Sequence, residues 1–301
     1  MSQVSREVHH TNETSLALYD EACQAAAAQV IRKYSSSFGL GARLLTPAMR
    51  THIASIYAMV RVADEIVDTY QGADAGEVLA GFEAQVARAL DGKFCSDVIA
   101  HAFGVTAAAV GIGHDLVDPF FESMRMDLTE TEHDQASFDR YVYGSAEVIG
   151  EMCLAVFLAD GDGDGDGNGP ASPPEDVRAG ARALGSAYQK INFLRDLGAD
   201  LASRGRVYFP GLSLDTLTDA DIATLTQGCR ADLTLAKATL PALPPRAHAS
   251  VASTLAIYEE LLDRIEATQA SALTSTRVSV PRRVKVSITA RTLAAVRKER
   301  A

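Results

Sequence analysis

The sequence of 301 residues has no tryptophan, only four cysteines and few runs of strand-forming residues. Cys23, Cys95, Cys153 and Cys229 are widely spaced and form no CxxC or Cys/His pair, so they indicate neither a disulfide framework nor a zinc site. The N-terminal segment lacks the apolar core of a signal peptide, and no uninterrupted apolar run is long enough to span a bilayer. We therefore expect a cytoplasmic protein that is soluble or peripherally bound to a membrane.

An excess of positive charge is also absent, since the net charge is -11. This argues against nucleic acid as a partner, because a surface that follows phosphates needs a basic excess. The exception is a basic C-terminal tail at 277–301, whose only acid is Glu299. Its bases are Arg277, Arg282, Arg283, Lys285, Arg291, Arg297, Lys298 and Arg300, with Val278, Val280, Val284, Val286 and Ile288 between them. The tail predicts either contact with the inner face of an anionic membrane or an unstructured segment.

Helix-forming residues dominate the long segments, and 47% of the chain is hydrophobic, so a large all-α core is expected. The periodicity predicts helices at about 15–34, 47–70, 75–91, 117–128, 138–158, 174–201, 219–240 and 247–272. An Asp/Gly-rich stretch at 160–174 interrupts them. It begins like a calcium loop at Asp162, but Pro173 stands where the loop needs glutamate, so a flexible insertion in a single domain, 1–301, is favoured.

Two of the predicted helices carry a polar stripe with paired acids. In the first, Tyr57, Arg61, Asp64 and Asp68 share one face, with Glu65 a quarter-turn away. In the second, the shared face consists of Gln189, Asn192, Asp196 and Asp200, and Arg195 lies beside it. Acids spaced in this way are usually solvated, but these stripes contain tyrosine and amide residues and have apolar neighbours.

Four carboxylates in a mostly apolar bundle would repel one another unless a cation compensated them. Their hard oxygen ligands suit Mg²⁺, with Mn²⁺ as a possible substitute, and Mg²⁺ commonly shares its coordination with substrate phosphates. Arg61, Arg195, Arg204 and Arg206 could neutralise a diphosphate. The pattern therefore predicts a diphosphate–Mg²⁺ site above an apolar cavity, in which a carbocation could form away from water.

These features resemble the squalene and phytoene synthase family of head-to-head prenyl synthases. The resemblance rests on YSSSFGLGARLL at Tyr34, IYAMVRVADEIVD at Ile56, FFESMRMDL at Phe120, YVYGSAEVIGEM at Tyr141 and YQKINFLRDLGADLASRGRVYFP at Tyr188. It implies an isoprenoid synthase-type helical bundle with a central apolar cavity, at whose mouth the two acid motifs face each other. Two prenyl diphosphates would be the substrates.

The resemblance also implies residue roles. The implied metal ligands are Asp64, Glu65, Asp68, Asn192, Asp196 and Asp200, and the implied catalytic residues are Tyr57, Arg61, Asp64, Asp68, Tyr141, Arg195, Asp196 and Asp200. The implied substrate-binding residues are Ser35, Ser37, Phe38, Arg61, Gln189, Asn192, Arg195, Arg206, Tyr258 and Arg277. From the sequence alone, Ser35 and Ser37 could equally be helix caps, and Tyr57 and Tyr141 core aromatics.

The sequence departs from the family pattern at Glu65, where many relatives have aspartate, and at Glu147, where many have a small residue; the latter is similar to actinobacterial phytoene synthases. We expect condensation of two geranylgeranyl diphosphates to 15-cis-phytoene in carotenoid biosynthesis, without NADPH. The alternatives are squalene or dehydrosqualene formation from farnesyl diphosphate, a terpene cyclase, and a non-catalytic family member. Protein partners are not indicated.

Overall fold

The computed structural model describes residues 15–35, 38–70, 72–159, 173–204, 206–213 and 216–299. For Phe38, Ala199, residues 201–204 and Glu299 it describes the backbone alone. Ser37, Arg300 and nearly all of the Asp/Gly-rich insertion predicted at 160–174 lie outside these ranges, and the side chains of Phe38 and Arg204 are not described.

The described residues are mostly helical and contain no β-strand. The helices are α1 (Leu16–Tyr34), α2 (Phe38–Ala42), α3 (Pro47–Asp64), α4 (Ala75–Leu90), α5 (Val98–Val110), α6 (His114–Thr129), α7 (Gln135–Val142), α8 (Val148–Ala159), α9 (Glu175–Arg204), α10 (Asp219–Thr239), α11 (Pro245–Glu266), α12 (Ala270–Leu273) and α13 (Arg282–Glu299). π-Helical turns at Glu65–Thr69 and Tyr143–Glu147 follow α3 and α7, and a 3-10 turn at Leu240–Ala242 follows α10. The expected all-α fold is confirmed.

Side-chain caps fix several of the helix starts. Ser15 accepts a hydrogen bond from the backbone N–H of Leu18 at 3.2 Å, and Thr46 accepts one from Met49 at 3.2 Å, just before Pro47. Each bond satisfies one of the N–H groups that a first helical turn leaves without an intrahelical partner. The cap at Thr46 defines the start of α3, the helix that carries the first acid motif.

Helix α9 lies at the centre of the bundle. It packs against α8, α10, α11 and the π-helical turn Tyr143–Glu147, while α3 packs against α1, α5 and α8. The close approach of α9 to the π-helical turn Tyr143–Glu147 requires glycine, because a Cβ on Gly185 would stand 2.2 Å from the carbonyl oxygen of Ala146. The two acid motifs are therefore carried by helices that belong to one continuous core.

Helix α5 was not expected, because it is apolar on nearly all sides and shows no amphipathic stripe. It contributes Phe103 and Ala100, both fully buried, to the core beside α1, α3 and α4. The stretch Gln135–Ala159 has the length and mean hydropathy (1.5) of a membrane-crossing helix, although no uninterrupted apolar run was expected to reach that length. Half of it is buried against other helices, as in the core helix of a folded bundle.

The basic C-terminal segment also differs from the expectation. Residues 282–299 form α13, which packs along α11 and buries Ile288, Thr289 and Val296. Val280 is buried as well, Val278 and Val284 pack partly against the core, and Val286 is exposed. Most of the valines interpreted as a membrane-facing set thus face the protein, and the exposed face of α13 is basic.

Candidate active site

The first acid motif lies where α3 becomes π-helical. Asp64 ends α3, and Glu65 and Asp68 lie in the π-helical turn Glu65–Thr69, a rare geometry that often marks functional sites. Arg61 donates to Glu65 in a close ion pair and lies 3.8 Å from Asp64, with its guanidinium 4.5 Å from the centre of the Tyr34 ring. Arg61 is therefore shared between the two acids and favours Glu65.

This sharing leaves Asp64 short of positive charge. Burial and the nearby charge of Asp68 raise the pKa of Asp64 to about 7, and Arg61 opposes the shift without cancelling it. Burial alone would raise the pKa of Glu65, but hydrogen bonds from Thr69 and Arg61 lower it overall. The first motif therefore holds one well-neutralised carboxylate and one poorly neutralised carboxylate side by side.

The second acid motif lies on regular α-helix in α9 and has more than enough positive charge. Arg195 donates through Nε to both oxygens of Asp196 at 3.1 Å, and Arg277 donates to Asp196 at 2.7 Å. Burial would raise the pKa of Asp196, but the two arginines together lower it. Asp200, one turn further along, is buried.

A third acid connects the segments that carry the two motifs. Arg206 follows α9 and its Nη1 lies 2.8 Å from Asp68 and 3.1 Å from the carboxylate of Asp127 on α6. Tyr141 and Tyr208 donate hydrogen bonds to Asp127, at 2.9 Å and 3.4 Å at their closest. The exit from α9 is thus fixed to the first acid motif through a buried polar cluster.

An apolar cavity of about 220 Å³ opens below the second motif. Its wall follows one face of α9, through Val177, Gly180, Ala181, Leu184, Gly185, Tyr188, Gln189 and Asn192, and is completed by residues of α3, α8, α10 and α11. At its upper end the Tyr188 and Tyr258 rings stack with centroids 3.8 Å apart, and the Tyr258 hydroxyl bonds Asn192 at 3.4 Å. The cavity therefore ends one helical turn before Asp196.

The structure brings most of the sequence-predicted site residues together. Gln189, Asn192 and Tyr258 line the cavity, and Arg195 and Arg277 contact Asp196. Tyr57 is half-buried beside Arg61 and Asp64, and Ser35, which caps the C-terminus of α1, bonds to it. The catalytic and binding roles of these residues remain predictions.

Two expected positions are corrected. Tyr141 was expected to line the reacting end, but it is buried away from the cavity wall and its hydroxyl is directed at Asp127. Arg206 was expected in a loop that closes over a diphosphate, but it is 8% exposed and bridges Asp68 and Asp127. Sequence reasoning gave Asp127 no role, although its motif, MRMDL, was noted; its partners are distant in sequence and only the fold reveals them.

The donor set fits Mg²⁺ if the substrate completes the coordination. Among the described residues no three acidic, histidine or cysteine side chains lie close enough together to hold one metal ion, and Asp68 and Asp196 are paired with arginines. The available ligands are nonetheless hard oxygens, and Asp64 beside Asp68 lacks a full countercharge. The buried Nε of Arg61 has no hydrogen-bond partner within the described ranges, so it can accommodate an anionic oxygen.

The described helices form a fold of the isoprenoid synthase type: a solved dehydrosqualene synthase in complex with ligand aligns with a TM-score of 0.78 and 20% identity, over 93% of this chain and 99% of its own. Squalene synthase HpnC from Alicyclobacillus acidocaldarius aligns with a TM-score of 0.71 and 20% identity, over 83% and 95%. At these identities the likeness concerns the fold.

The sequence profile of the family described as Squalene/phytoene synthase matches residues 31–284. Phytoene synthase 3, chloroplastic, from Zea mays is 32% identical over 86% of this chain, and phytoene synthase from Arthrospira platensis is 31% identical over 79%. The matches span 62% of the maize protein and 82% of the Arthrospira protein. This chain belongs to the squalene/phytoene synthase family, whose members are of the prenyltransferase type.

Proposed function

We propose that the protein is a Mg²⁺-dependent 15-cis-phytoene synthase of carotenoid biosynthesis, which condenses two molecules of geranylgeranyl diphosphate head to head. The observation that carries this proposal is the apolar cavity, whose wall includes Asn192, one helical turn before Asp196, and Val60, one turn before Asp64. The similarity to phytoene synthases at about 30% identity supports it.

The length of the cavity favours a C20 chain over a C15 chain. Its wall runs along α9 from Val177 to Asn192, which at 1.5 Å per residue is about 22 Å. An extended chain gains about 5 Å per isoprene unit, scaling from the reach of three backbone bonds, so that geranylgeranyl measures about 20 Å and farnesyl about 15 Å. A farnesyl group would leave empty the part of the cavity beside Val177, in the first turn of α9.

The residues of the site would have two roles: some bind the diphosphates, and others shield the cation from water. Mg²⁺ held by Asp64, Asp68, Asp196 and Asp200 would withdraw charge from the departing diphosphate, and Glu65 and Asn192 are further candidate ligands. Arg61 and Arg195 would hydrogen-bond phosphate oxygens as their carboxylate partners turn to the metal. The stacked Tyr188 and Tyr258 offer aromatic faces to an allylic cation, and the apolar wall excludes water.

The reaction would proceed in two ionisations. Loss of diphosphate from the first molecule gives an allylic cation, which the second molecule attacks to form a cyclopropylcarbinyl diphosphate and release one proton. A second loss of diphosphate, rearrangement and loss of a further proton give phytoene. No electrons are added, so NADPH is not required.

Product identification tests the proposal. Purified protein is incubated with Mg²⁺ and either farnesyl or geranylgeranyl diphosphate, with and without NADPH; we expect phytoene from the C20 substrate, independent of NADPH. Squalene or dehydrosqualene as the preferred product would show that farnesyl diphosphate, and not geranylgeranyl diphosphate, is the substrate. A cyclic product from one molecule would indicate a terpene cyclase. Failure to release diphosphate from either substrate would indicate a non-catalytic member.

Shortening the cavity provides a sharper test of chain length. Ala181 lines it 11 residues below Asn192, or about 16 Å, so Ala181→Phe should leave room for a farnesyl but not a geranylgeranyl chain. The ratio of kcat/KM for the C20 and C15 substrates is expected to fall about tenfold. Ala179→Phe, on the same helix but outside the cavity wall, is the matched control and should leave the ratio unchanged.

We also propose that the protein works in the cytoplasm and docks on the inner face of the membrane through α13. Its exposed face presents a set of basic residues on a protein whose net charge is -11: Arg282, Arg283, Arg291, Arg297 and Lys298. Each contributes about 1 kcal/mol near an anionic bilayer. Arg277, which contacts Asp196, lies just before this helix, so the basic surface begins at the active site.

Liposome sedimentation tests the docking. Because α13 buries apolar residues against α11, charge reversal is preferable to deletion, and Arg283→Glu with Arg291→Glu changes exposed side chains alone. We expect wild-type protein to sediment with anionic but not with neutral vesicles, and the double variant to remain in solution. Arg43→Glu with Arg50→Glu, also exposed, is the control. Equal sedimentation of the α13 variant and the wild type would contradict docking.

A further inference from the structure

The buried carboxylate of Asp127 has no part in the steps above. It lies near the end of α6 with a side chain only 5% exposed, and it accepts hydrogen bonds from Tyr141 at 2.9 and 3.1 Å. Burying a carboxylate is unfavourable unless charged or polar partners compensate it. Asp127 has such partners, and one of them, Arg206, is positively charged.

Arg206 is held more by Asp127 than by Asp68. Its Nη2 donates to the backbone carbonyl of Asp127 at 2.5 Å, its Nη1 lies 3.1 Å from the Asp127 carboxylate, and the same Nη1 donates to Tyr208 at 3.2 Å. Its Nη1 also donates to Asp68 at 2.8 Å. Arg206 can therefore lose Asp68 and keep a carboxylate partner in place.

This matters because Asp68 has two competing uses. In the structure it pairs with Arg206, whereas the proposed function requires it as a metal ligand. If Asp68 were the sole acid partner of Arg206, binding a metal there would leave a buried arginine without a countercharge, which is strongly destabilising. The carboxylate of Asp127 removes that conflict.

We propose that Asp127 is a positioning residue that keeps Arg206 paired when Asp68 turns from Arg206 to the metal. This inference rests on the proposed function, because the metal at Asp68 belongs to it. Asp127 acts through Arg206 and does not itself contact metal or substrate. The side chain thus sets how readily the first acid motif accepts its cation.

Asp127→Asn separates this role from packing. Asparagine has nearly the same shape and can still accept a hydrogen bond from Tyr141, but it carries no charge for Arg206. Arg206 should then hold Asp68 more firmly, and binding of Mn²⁺ to the substrate-free protein, followed by the electron paramagnetic resonance signal of the free ion, should weaken about tenfold. A role in packing alone would lower the melting temperature without changing Mn²⁺ affinity.

A second variant and a control complete the test. In Asp127→Asn/Arg206→Met the competing cation is gone, so we expect Mn²⁺ affinity to return to within about threefold of wild type. Glu151→Gln removes another buried carboxylate, with a side chain 8% exposed, that pairs with Arg182 in the α8–α9 interface, and it should leave Mn²⁺ binding unchanged.

The outcomes are distinguishable from those of the proposed function. Wild-type Mn²⁺ affinity in Asp127→Asn, or a double variant that binds no better than the single one, would overturn the positioning role while leaving the metal site intact. Absence of Mn²⁺ binding by the wild-type protein would overturn both the metal site and the inference.

Discussion

The two acid motifs have the same spacing but opposite electrostatic states. On α3, Arg61 is drawn to Glu65, and the pKa of Asp64 is raised to about 7 by burial and by Asp68. On α9, Arg195 and Arg277 both contact Asp196, and its pKa is lowered despite burial. In the first motif Arg61 and Arg206 pair with Glu65 and Asp68, and Asp64 lacks a full countercharge; in the second, Asp196 is paired with two arginines.

The difference suggests an order of assembly. A divalent cation would compensate Asp64 directly, whereas at Asp196 it would have to displace two arginines. A substrate diphosphate can draw those arginines to its own oxygens, because guanidinium groups bind phosphate in a bidentate manner. We infer that Asp196 would become a metal ligand only after the diphosphate had bound, whereas Asp64 could hold the metal before that.

The largest expected effect on metal binding is a contrast between Asp64→Asn and Asp196→Asn in the free protein. Mn²⁺ affinity without substrate should fall about a hundredfold in Asp64→Asn and less than about threefold in Asp196→Asn, because Asp196 is neutralised by arginines. Titration by electron paramagnetic resonance measures both. Equal losses in the two variants would remove the distinction between the motifs.

A smaller effect is expected from pH. Because the pKa of Asp64 is raised to about 7, the metal must displace a proton below that pH, and Mn²⁺ affinity should fall up to about tenfold per unit from pH 7 to pH 6. Asp196, whose pKa is lowered, should add no pH dependence to the Mn²⁺ affinity between pH 6 and pH 7. Isothermal titration calorimetry in two buffers detects the released proton, and a flat profile in wild-type protein would contradict the assignment.

The same raised pKa makes a prediction for stability. The folded-state pKa of Asp64 exceeds the unfolded value of about 3.9, so the folded, metal-free protein binds more protons between about pH 4 and pH 7. The free energy of unfolding that Asp64 contributes is therefore greatest below about pH 4, and it is lost as pH rises from there through about 7. Asp64→Asn should flatten that part of the melting-temperature profile, whereas Asp196→Asn should not.

The smallest effect concerns Arg277, whose side chain is 65% exposed although it contacts Asp196. An exposed ion pair contributes less than about 1 kcal/mol to stability, so Arg277→Gln should shift the melting temperature by no more than a few degrees. The KM for the prenyl diphosphate should rise about threefold with little change in kcat, because Arg277 supplies binding charge. Arg264→Gln, on α11, is the control, and an unchanged KM would exclude Arg277 from binding.

The sequence predicted the amphipathic parts of this molecule well. The stripes that carry Asp64 and Asp196 lie on helices as expected, because each has the 3.6-residue periodicity of one buried face. The π-helical turn at Glu65–Thr69 was not predicted, since it has no sequence signal of its own.

Other parts depended on tertiary contacts. Helix α5 has no amphipathic stripe because other helices surround it. The sequence of α13 is as polar as that of a solvated tail, and only its packing on α11 in the fold shows that one face is buried. The cluster of Asp127, Arg206 and Tyr141 joins residues up to 79 positions apart, so no local pattern could show it. The charge difference between the motifs likewise depends on Arg277, which is 81 residues from Asp196.

The central claim is that both motifs serve one reaction despite their different charge states. The most direct test is formation of phytoene from geranylgeranyl diphosphate and Mg²⁺ by wild-type protein, Asp64→Asn and Asp196→Asn, with circular dichroism to confirm that each variant is folded. We predict that both substitutions lower turnover by about a thousandfold or more, although only the first weakens metal binding in the free protein. Mg²⁺-dependent turnover near the wild-type rate in either folded variant would contradict the account.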